Sequence, residues 1–277
     1  MKLSVVIVNH NMCELLRHTL SSLVDAGKNI DYEVFIYDNA STDGSVKMIE
    51  SEFAQFHIIS SQKEVSYSKA YNEVINLTTG QYILLVNPDI ISSKKTLERT
   101  LEFMDEHSDS GALGVRMITP KGSFLPESNR GLSSQWIAFF KLTGLAKYFP
   151  KSRIGDRNRK DWVEEFQTSE VDFVNSAFML LRRSVLNDIG LFDEQFAMYG
   201  HDIDLSYRMR LAGFKNYYFP KTYIINFNWA NTHKLNWQFV KNFYGAMIIF
   251  AIKYLFRMPE IKLDGMQQLP LAYEVER

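Results

Sequence analysis

The chain has 277 residues, 46% of them hydrophobic and 23% charged, with a formal net charge of -1. That supplies the core of one large α/β domain, with or without a C-terminal extension. The near-neutral balance excludes the strong basic excess of a nucleic-acid binder and the acidic excess of a disordered chain. A single cysteine, Cys13, excludes an intramolecular disulfide framework and fits a reducing compartment. Its surroundings give no sign of a nucleophile.

Residues 3–8, Leu-Ser-Val-Val-Ile-Val, read as a strand. Only Lys2 separates this run from the first residue and no small-residue cleavage site follows it, so a signal peptide is not expected. Residues 14–24 carry Leu15, Leu16, Leu20 and Leu23 at helical spacing, and 33–37 read as a second strand. The turn-rich segment 38–44 follows. A helix over 45–53, a short strand over 57–60, a helix over 68–77 and a buried strand over 81–86 continue the alternation. Such β-α-β-α order predicts a mostly parallel sheet flanked by helices. In such sheets ligands bind beyond the carboxyl ends of the strands. The polar clusters 9–11, 38–43 and 87–89 lie at those ends.

The middle, 121–167, is irregular, with several glycines and a charged run over 153–160. It reads as a loop and helical insertion able to shape an acceptor site. Residues 171–182 resume the strand pattern and 202–213 read as helix. Residues 243–256 are the most apolar stretch, shorter than the ~20 residues that cross a bilayer and interrupted by Lys253. A core helix and a membrane-surface helix are both open for it, the second helped by Lys241, Lys253 and Arg257.

Residues two apart in an extended segment point to one side, so Asn87 and Asp89 at a strand end can face one ligand. A carboxylate there suits a hard divalent cation bridging a diphosphate, although Asn-Pro-Asp is also a common turn sequence. Asp202 and Asp204 follow Gly200 at a helix start. Asp202 is either a helix cap or a general base for an acceptor hydroxyl, with Asp204 supporting or capping. Asp38 is either an Asx-turn residue or an acceptor for a nucleobase N–H or a ribose hydroxyl.

Taken together, the run 4–11 (Ser-Val-Val-Ile-Val-Asn-His-Asn), the run 37–45 (Tyr-Asp-Asn-Ala-Ser-Thr-Asp-Gly-Ser), Leu84 to Asp89, and 193–205 with its Gly-His-Asp-Ile-Asp-Leu core resemble family 2 glycosyltransferases, in the rhamnosyltransferase-like branch. The resemblance implies a glycosyltransferase A-type α/β fold: a mostly parallel nucleotide-binding sheet flanked by helices, with a helical C-terminal extension. It implies a catalytic domain over 1–235, its nucleotide-sugar half about 1–115 and its acceptor half about 116–235, followed by the extension 236–277. It implies an inverting transfer from a nucleotide diphosphate sugar, with uridine and thymidine both open as the base, to a glycan or lipid-linked acceptor. In that scheme Asp202 is the base, and Asp89 with Asn87 holds Mg²⁺ or Mn²⁺. Asn9, Asp38, Asn39 and Ser41 meet the nucleotide. A cytoplasmic protein, peripheral on the inner face of the membrane, is expected, with no nucleic-acid partner.

The chain departs from the family pattern at several points. His201 stands where glutamate usually precedes the base, Glu64 and Ser66 replace asparagine and glycine, and Ser176-Ala177 replaces Gly-Ala. Asn226 aligns with a histidine that often completes the metal site, and it is a neutral and poorer ligand. His201 is left as an electrostatic partner of the base and His233 as a substitute metal ligand. These departures keep a non-catalytic relative, binding a sugar nucleotide or a partner protein, as the second reading. No Gly-x-Gly-x-x-Gly follows the first strand and no P-loop signature occurs, against a dehydrogenase or P-loop enzyme. A glycoside hydrolase also needs paired carboxylates but has no use for the nucleotide motifs.

Overall fold

A computed structural model describes residues 1–130, 134–144, 165–227 and 237–256. The first half winds as its sequence predicts. Strands β1 (Leu3–Asn9), β2 (Tyr32–Asn39), β3 (His57–Ser61) and β4 (Tyr82–Val86) alternate with helices α1 (Cys13–Ala26), α2 (Ser45–Glu52) and α3 (Tyr67–Ile75). All pairs among these strands are parallel, in the order β3-β2-β1-β4. β1 and β4 are buried along their whole length, as strands covered by helices on both faces must be.

Beyond β4 the pairing becomes mixed. The chain adds β5 (Ile90–Ser92), α4 (Thr96–Glu106), β6 (Ser110–Ile118), α5 (Glu127–Arg130), α6 (Ser134–Leu142), β7 (Ser169–Val171), β8 (Phe178–Arg182) and α7 (Arg183–Ile189). It ends with α8 (His201–Leu211), β9 (Lys215–Asn226), α9 (Trp237–Ala251) and a π-helical turn, Ile252–Phe256. β8 lies antiparallel between β4 and β6; β9 runs parallel to β6 and antiparallel to β5 and β7. One continuous sheet, β3-β2-β1-β4-β8-β6-β9-β5, therefore joins the two halves. The predicted strand over 171–182 is two strands, broken at 172–177.

The sheet's two faces carry separate cores. One packs Leu16, Leu20 and Leu23 of α1 and Leu97 and Met104 of α4 on Val5, Ile7 and Leu84. The other packs Ala70 and Val74 of α3 and Leu205 and Met209 of α8 on Val6, Leu85 and Met179. A third, aromatic cluster joins α6, α8 and α9 through Trp136, Phe140, Tyr207, Phe243 and Phe250. The apolar stretch read over 243–256 thus has one face in a core. No helix of the described residues is long and apolar enough to cross a membrane.

Candidate active site

The loops after β1 and β2 interlock. Asn9 and Asp38 are register partners at the strand ends, both fully or almost fully buried. Asn9 Nδ2 donates to Asp38 Oδ1 at 3.1 Å and to Ser41 Oγ at 3.2 Å, while Ser41 N donates to Asp38 Oδ2 at 3.0 Å. Asn11 N donates to Ser41 Oγ at 3.0 Å, and Thr42 N donates to Asn11 Oδ1 at 2.7 Å. These bonds hold Asn11 and Ala40 at φ 51° and 61°. Asparagine tolerates the left-handed region; alanine there is strained and persists only because its surroundings fix it. Asn9 Oδ1 remains a buried acceptor with no partner.

Asn39 is placed differently from the other expected nucleotide contacts. Its amide donates to Val65 O at 3.0 Å and accepts from Val65 N at 2.8 Å. Both ends are spent bracing the segment that enters α3, so its side chain is a loop brace. Ser66, a departure from the family's glycine, caps α3 by accepting from Lys69 N at 3.3 Å, the work expected of serine at that position.

The Asn-Pro-Asp turn follows β4. Asp89 is 6% exposed and its Oδ1 is buried without a hydrogen-bond partner. Burial raises its carboxyl above the ordinary range, because an unpaired charge is costly out of water. Asn226 lies alongside on β9: it is the register partner of Ile90, and Phe227 N donates to Asp89 O at 3.0 Å. Asn226 Oδ1 is likewise buried and unpartnered. Two orphaned oxygens on adjoining strands, one of them a carboxylate, fit a hard divalent cation whose remaining ligands come from a diphosphate. Asn87 is half-buried at the same turn. Among the described residues no group of three or more His, Cys, Asp or Glu side chains forms a metal cluster. His233 lies outside the described residues.

The turn before β8 connects the Asn-Pro-Asp turn to Asp202. Asn87 N donates to Ala177 O at 3.0 Å, and the neighbouring Ser176 N donates to Asp202 Oδ2 at 3.3 Å. Asp202 Oδ1 accepts from Ile203 N at 2.9 Å, and the side chain is half-buried. Each oxygen keeps lone-pair capacity for an acceptor hydroxyl. Burial first, then Tyr67, Asp202 and Asp89, raise the hydroxyl of Tyr71 on α3. Burial, Glu64, Asp89 and Tyr199 do the same for Tyr67. Sequence reading passed over both tyrosines. Their signal is spacing: four apart, on the buried face of a helix that opens directly after a serine cap.

His201 and Asp204, on either side of Asp202, are both buried. His201 is 5% exposed, lies 5.8 Å from the Tyr71 ring and 5.6 Å from Phe192, and neither ring nitrogen has a partner. Burial holds its imidazole below the ordinary 6.5, against the pull of Asp202 and Asp204. It is a neutral core residue beside the base. Asp204 is wholly buried and accepts from Arg208 Nε at 2.9 Å, Lys253 Nζ at 2.7 Å and Tyr254 Oη at 2.6 Å. Its oxygens anchor α8 to the C-terminal segment.

Comparison with known proteins agrees with this geometry. The model of the family "Glycosyl transferase family 2" matches residues 4–190. A Mycobacterium tuberculosis N-acetylglucosaminyl-diphospho-decaprenol L-rhamnosyltransferase is 24% identical over 81% of this chain and 75% of its own length. The rhamnosyltransferase WbbL of Escherichia coli is 25% identical over 80% of this chain and 82% of its own. Among solved structures, residues 1–349 of Staphylococcus aureus TarS with UDP-GlcNAc superpose with a TM-score of 0.60 at 19% identity, covering 97% of this chain and 68% of that one. A Pyrobaculum calidifontis mannosyltransferase with GDP-Man and Mn²⁺ gives 0.56 at 15% identity, covering 81% and 56%. The structural likenesses establish the fold, and the family match over 4–190 shows that the chain belongs to glycosyl transferase family 2 and is a glycosyltransferase.

Proposed function

We propose that the chain moves a hexosyl or rhamnosyl group from a nucleotide diphosphate sugar to a hydroxyl of a glycan or lipid-linked acceptor in surface-glycan synthesis, with Asp202 as the base. The observation that carries this reading is the 175–177 turn, where the successive residues Ser176 and Ala177 bind Asp202 on one side and the Asn-Pro-Asp turn on the other. That arrangement suits a donor held at Asp89 and an acceptor held at Asp202. Asn9 and Asp38 would receive the nucleoside, with Ser41 shaping the loop. Asp89, Asn226 and Asn87 would hold the cation, which when bound offsets negative charge on the departing diphosphate. Asp202 accepts the acceptor's proton as its oxygen bonds to the anomeric carbon, opposite the breaking bond to the diphosphate. The names of relatives that carry L-rhamnose or N-acetylglucosamine support a hexosyl-class donor.

Thermal shift and transfer assays with UDP-, GDP- and dTDP-sugars, with and without Mn²⁺, test the reading. We expect at least one nucleotide to raise Tm only with the metal, by mass action on the folded state. No nucleotide stabilisation together with no transfer across the panel would remove it.

We further propose peripheral attachment to the cytoplasmic membrane face through α9. Tyr244, Ile248 and Ile252 are 51%, 60% and 51% exposed, one helical turn apart, with Lys241 exposed on the same side. An apolar stripe with a basic margin suits an anionic lipid interface. Tyr244→Asp with Ile248→Asp should abolish co-sedimentation with phosphatidylglycerol vesicles. Equal sedimentation, or none by either protein, would leave α9 as a core helix only.

A further inference from the structure

The C-terminal segment is built into the turn that carries the base. Gly200, at φ +82°, opens α8 two residues before Asp202, and a Cβ there would meet Ala246 Cβ at 3.2 Å and Trp136 at 3.3 Å. Helix α9 therefore presses directly on the start of the base-bearing helix. A second set of contacts closes the other side. Lys253 Nζ donates to Asp193 Oδ2 at 2.6 Å, in the loop leading to α8, and to Asp204 Oδ1 at 2.7 Å, in its first turn. Its neighbour Tyr254 donates to the same Asp204 oxygen at 2.6 Å. Adjacent residues of a regular helix do not face one way. Here both lie in the π-helical turn Ile252–Phe256, a local widening frequent at functional sites.

The two carboxylates joined by Lys253 bracket Asp202 in the chain. Arg208 secures Asp204 from within α8 and also donates to the carbonyls of Ile189, Gly190 and Leu191, so it does not tie the C-terminal segment to the base. Lys253 does. Donor-side groups stand apart from this clamp: Asn9 and Asp38, at the ends of β1 and β2, are held by one another's loops, and Asp89, after β4, meets β9 through Phe227 N.

We infer that Lys253 is a positioning residue for the transfer reaction, fixing the Asp202 carboxylate by clamping the segment on both sides of it, and that α9 with its π turn is a working wall of the acceptor site. This rests on the reading of Asp202 as the base. A plain structural anchor would lower stability and leave the rate of the folded enzyme alone; a positioning clamp changes turnover while donor binding stays.

The test uses the full chain with Lys253→Met and Lys253→Arg, each also combined with Asp202→Asn. Turnover is read as nucleoside diphosphate release from UDP-glucose, UDP-N-acetylglucosamine, GDP-mannose and dTDP-L-rhamnose with Mn²⁺, and donor-side binding as affinity for the corresponding nucleoside diphosphate with Mn²⁺. Lys253→Met should cut release ~10–100-fold, the scale of a small misplacement of a reacting group, with diphosphate affinity unchanged. Lys253→Arg should restore most of it. In the Asp202→Asn background Lys253→Met should cost little more, because residues acting as a unit are not additive. Wild-type release by Lys253→Met, a parallel fall in affinity, or an undiminished further loss in the Asp202→Asn background would each overturn the inference. If Lys253→Met does not fold, Tyr254→Phe, which deletes one hydroxyl, is read the same way with a smaller loss. Full release by Asp202→Asn alone, or none by the unmodified chain, would remove the base reading and this inference with it, and the unmodified and Asp202→Asn controls identify that case.

Discussion

The interlocked loops after β1 and β2 and the start of α8 hold their polar groups by different means. Asn9, Asp38 and Ser41 are fixed by bonds between two neighbouring loops, over strands that pair in parallel. Each group sits where a strand must end. At α8, Asp202 accepts from Ser176 N, and Asp204, two residues on, is tied to the side chains of Lys253 and Tyr254 some fifty residues away. The first arrangement joins two adjacent loops through mostly neutral groups. The second is a buried ionic network, in which the loss of one member strands the rest.

The largest separation of the halves comes from the base. Asp202→Asn keeps the shape and the acceptor oxygen for Ile203 N but removes the basic carboxylate. We expect kcat to fall ~10²–10⁴-fold while donor affinity is kept. Steady-state kinetics beside a melting curve decides it: helix capping alone predicts near-normal turnover, because asparagine caps as well as aspartate.

Asp89→Ala breaks the opposite half. It removes a buried carboxylate whose Oδ1 has no partner, so the fold should survive and the metal-free protein should be no less stable. Metal-dependent nucleotide affinity should be abolished. Titrating UDP, GDP and dTDP with and without Mn²⁺ checks it; a metal-dependent gain retained for any of them would take Asp89 out of the cation site.

These two halves were also unequally legible. The runs 3–8, 33–37 and 81–86 are apolar because both faces of their strands are covered, and polar clusters mark their ends. Strand β9 gave no such signal. Pro220 interrupts it, and the pairing with β6 jumps from Phe219 to Tyr223 around that residue, the bulge a proline requires inside a sheet. In strand β6, Gly111 and Gly114 interrupt the apolar sequence pattern; a Cβ on Gly114 would meet Val174 at 2.9 Å, a demand visible only once the chain is folded. Asn39 read as a nucleotide ligand because its brace, Val65, contributes only backbone atoms. Asp204 read as a helper of the base because its partners lie some fifty residues on.

Asp204→Asn probes the acceptor-side network as a stability element. It leaves Arg208 and Lys253 facing a neutral amide in a fully buried position. Breaking a buried pair by removing one partner costs about 3–5 kcal/mol. Urea unfolding should show a loss of that order. A change within experimental error would mean that Asp193 and the backbone carbonyls satisfy both cations unaided.

The smallest expected effect, and the one most specific to this chain, belongs to His201. Its imidazole is wholly enclosed by Tyr71 and Phe192, with Asp202 and Asp204 as its acidic neighbours, and burial lowers its pKa below 6.5. A histidine lowered in the folded state binds fewer protons folded than unfolded. Its contribution to stability is therefore complete above about pH 6.5 and erodes as pH falls below that, toward the lowered folded value. His201→Phe keeps the aromatic packing and removes both the titration and the two unpartnered nitrogens. At pH 8 the variant should match or slightly exceed wild-type Tm, since replacing unsatisfied polar atoms by an apolar ring is neutral or favourable. Between pH 6.5 and 5 the wild-type Tm should fall more steeply than the variant's, and the difference between the two curves isolates this one group. Turnover at pH 8 should be nearly unchanged. A large loss of turnover there would show that the neutral imidazole aids the base after all; parallel Tm curves would show that His201 stays unprotonated in the unfolded chain or charged in the folded one.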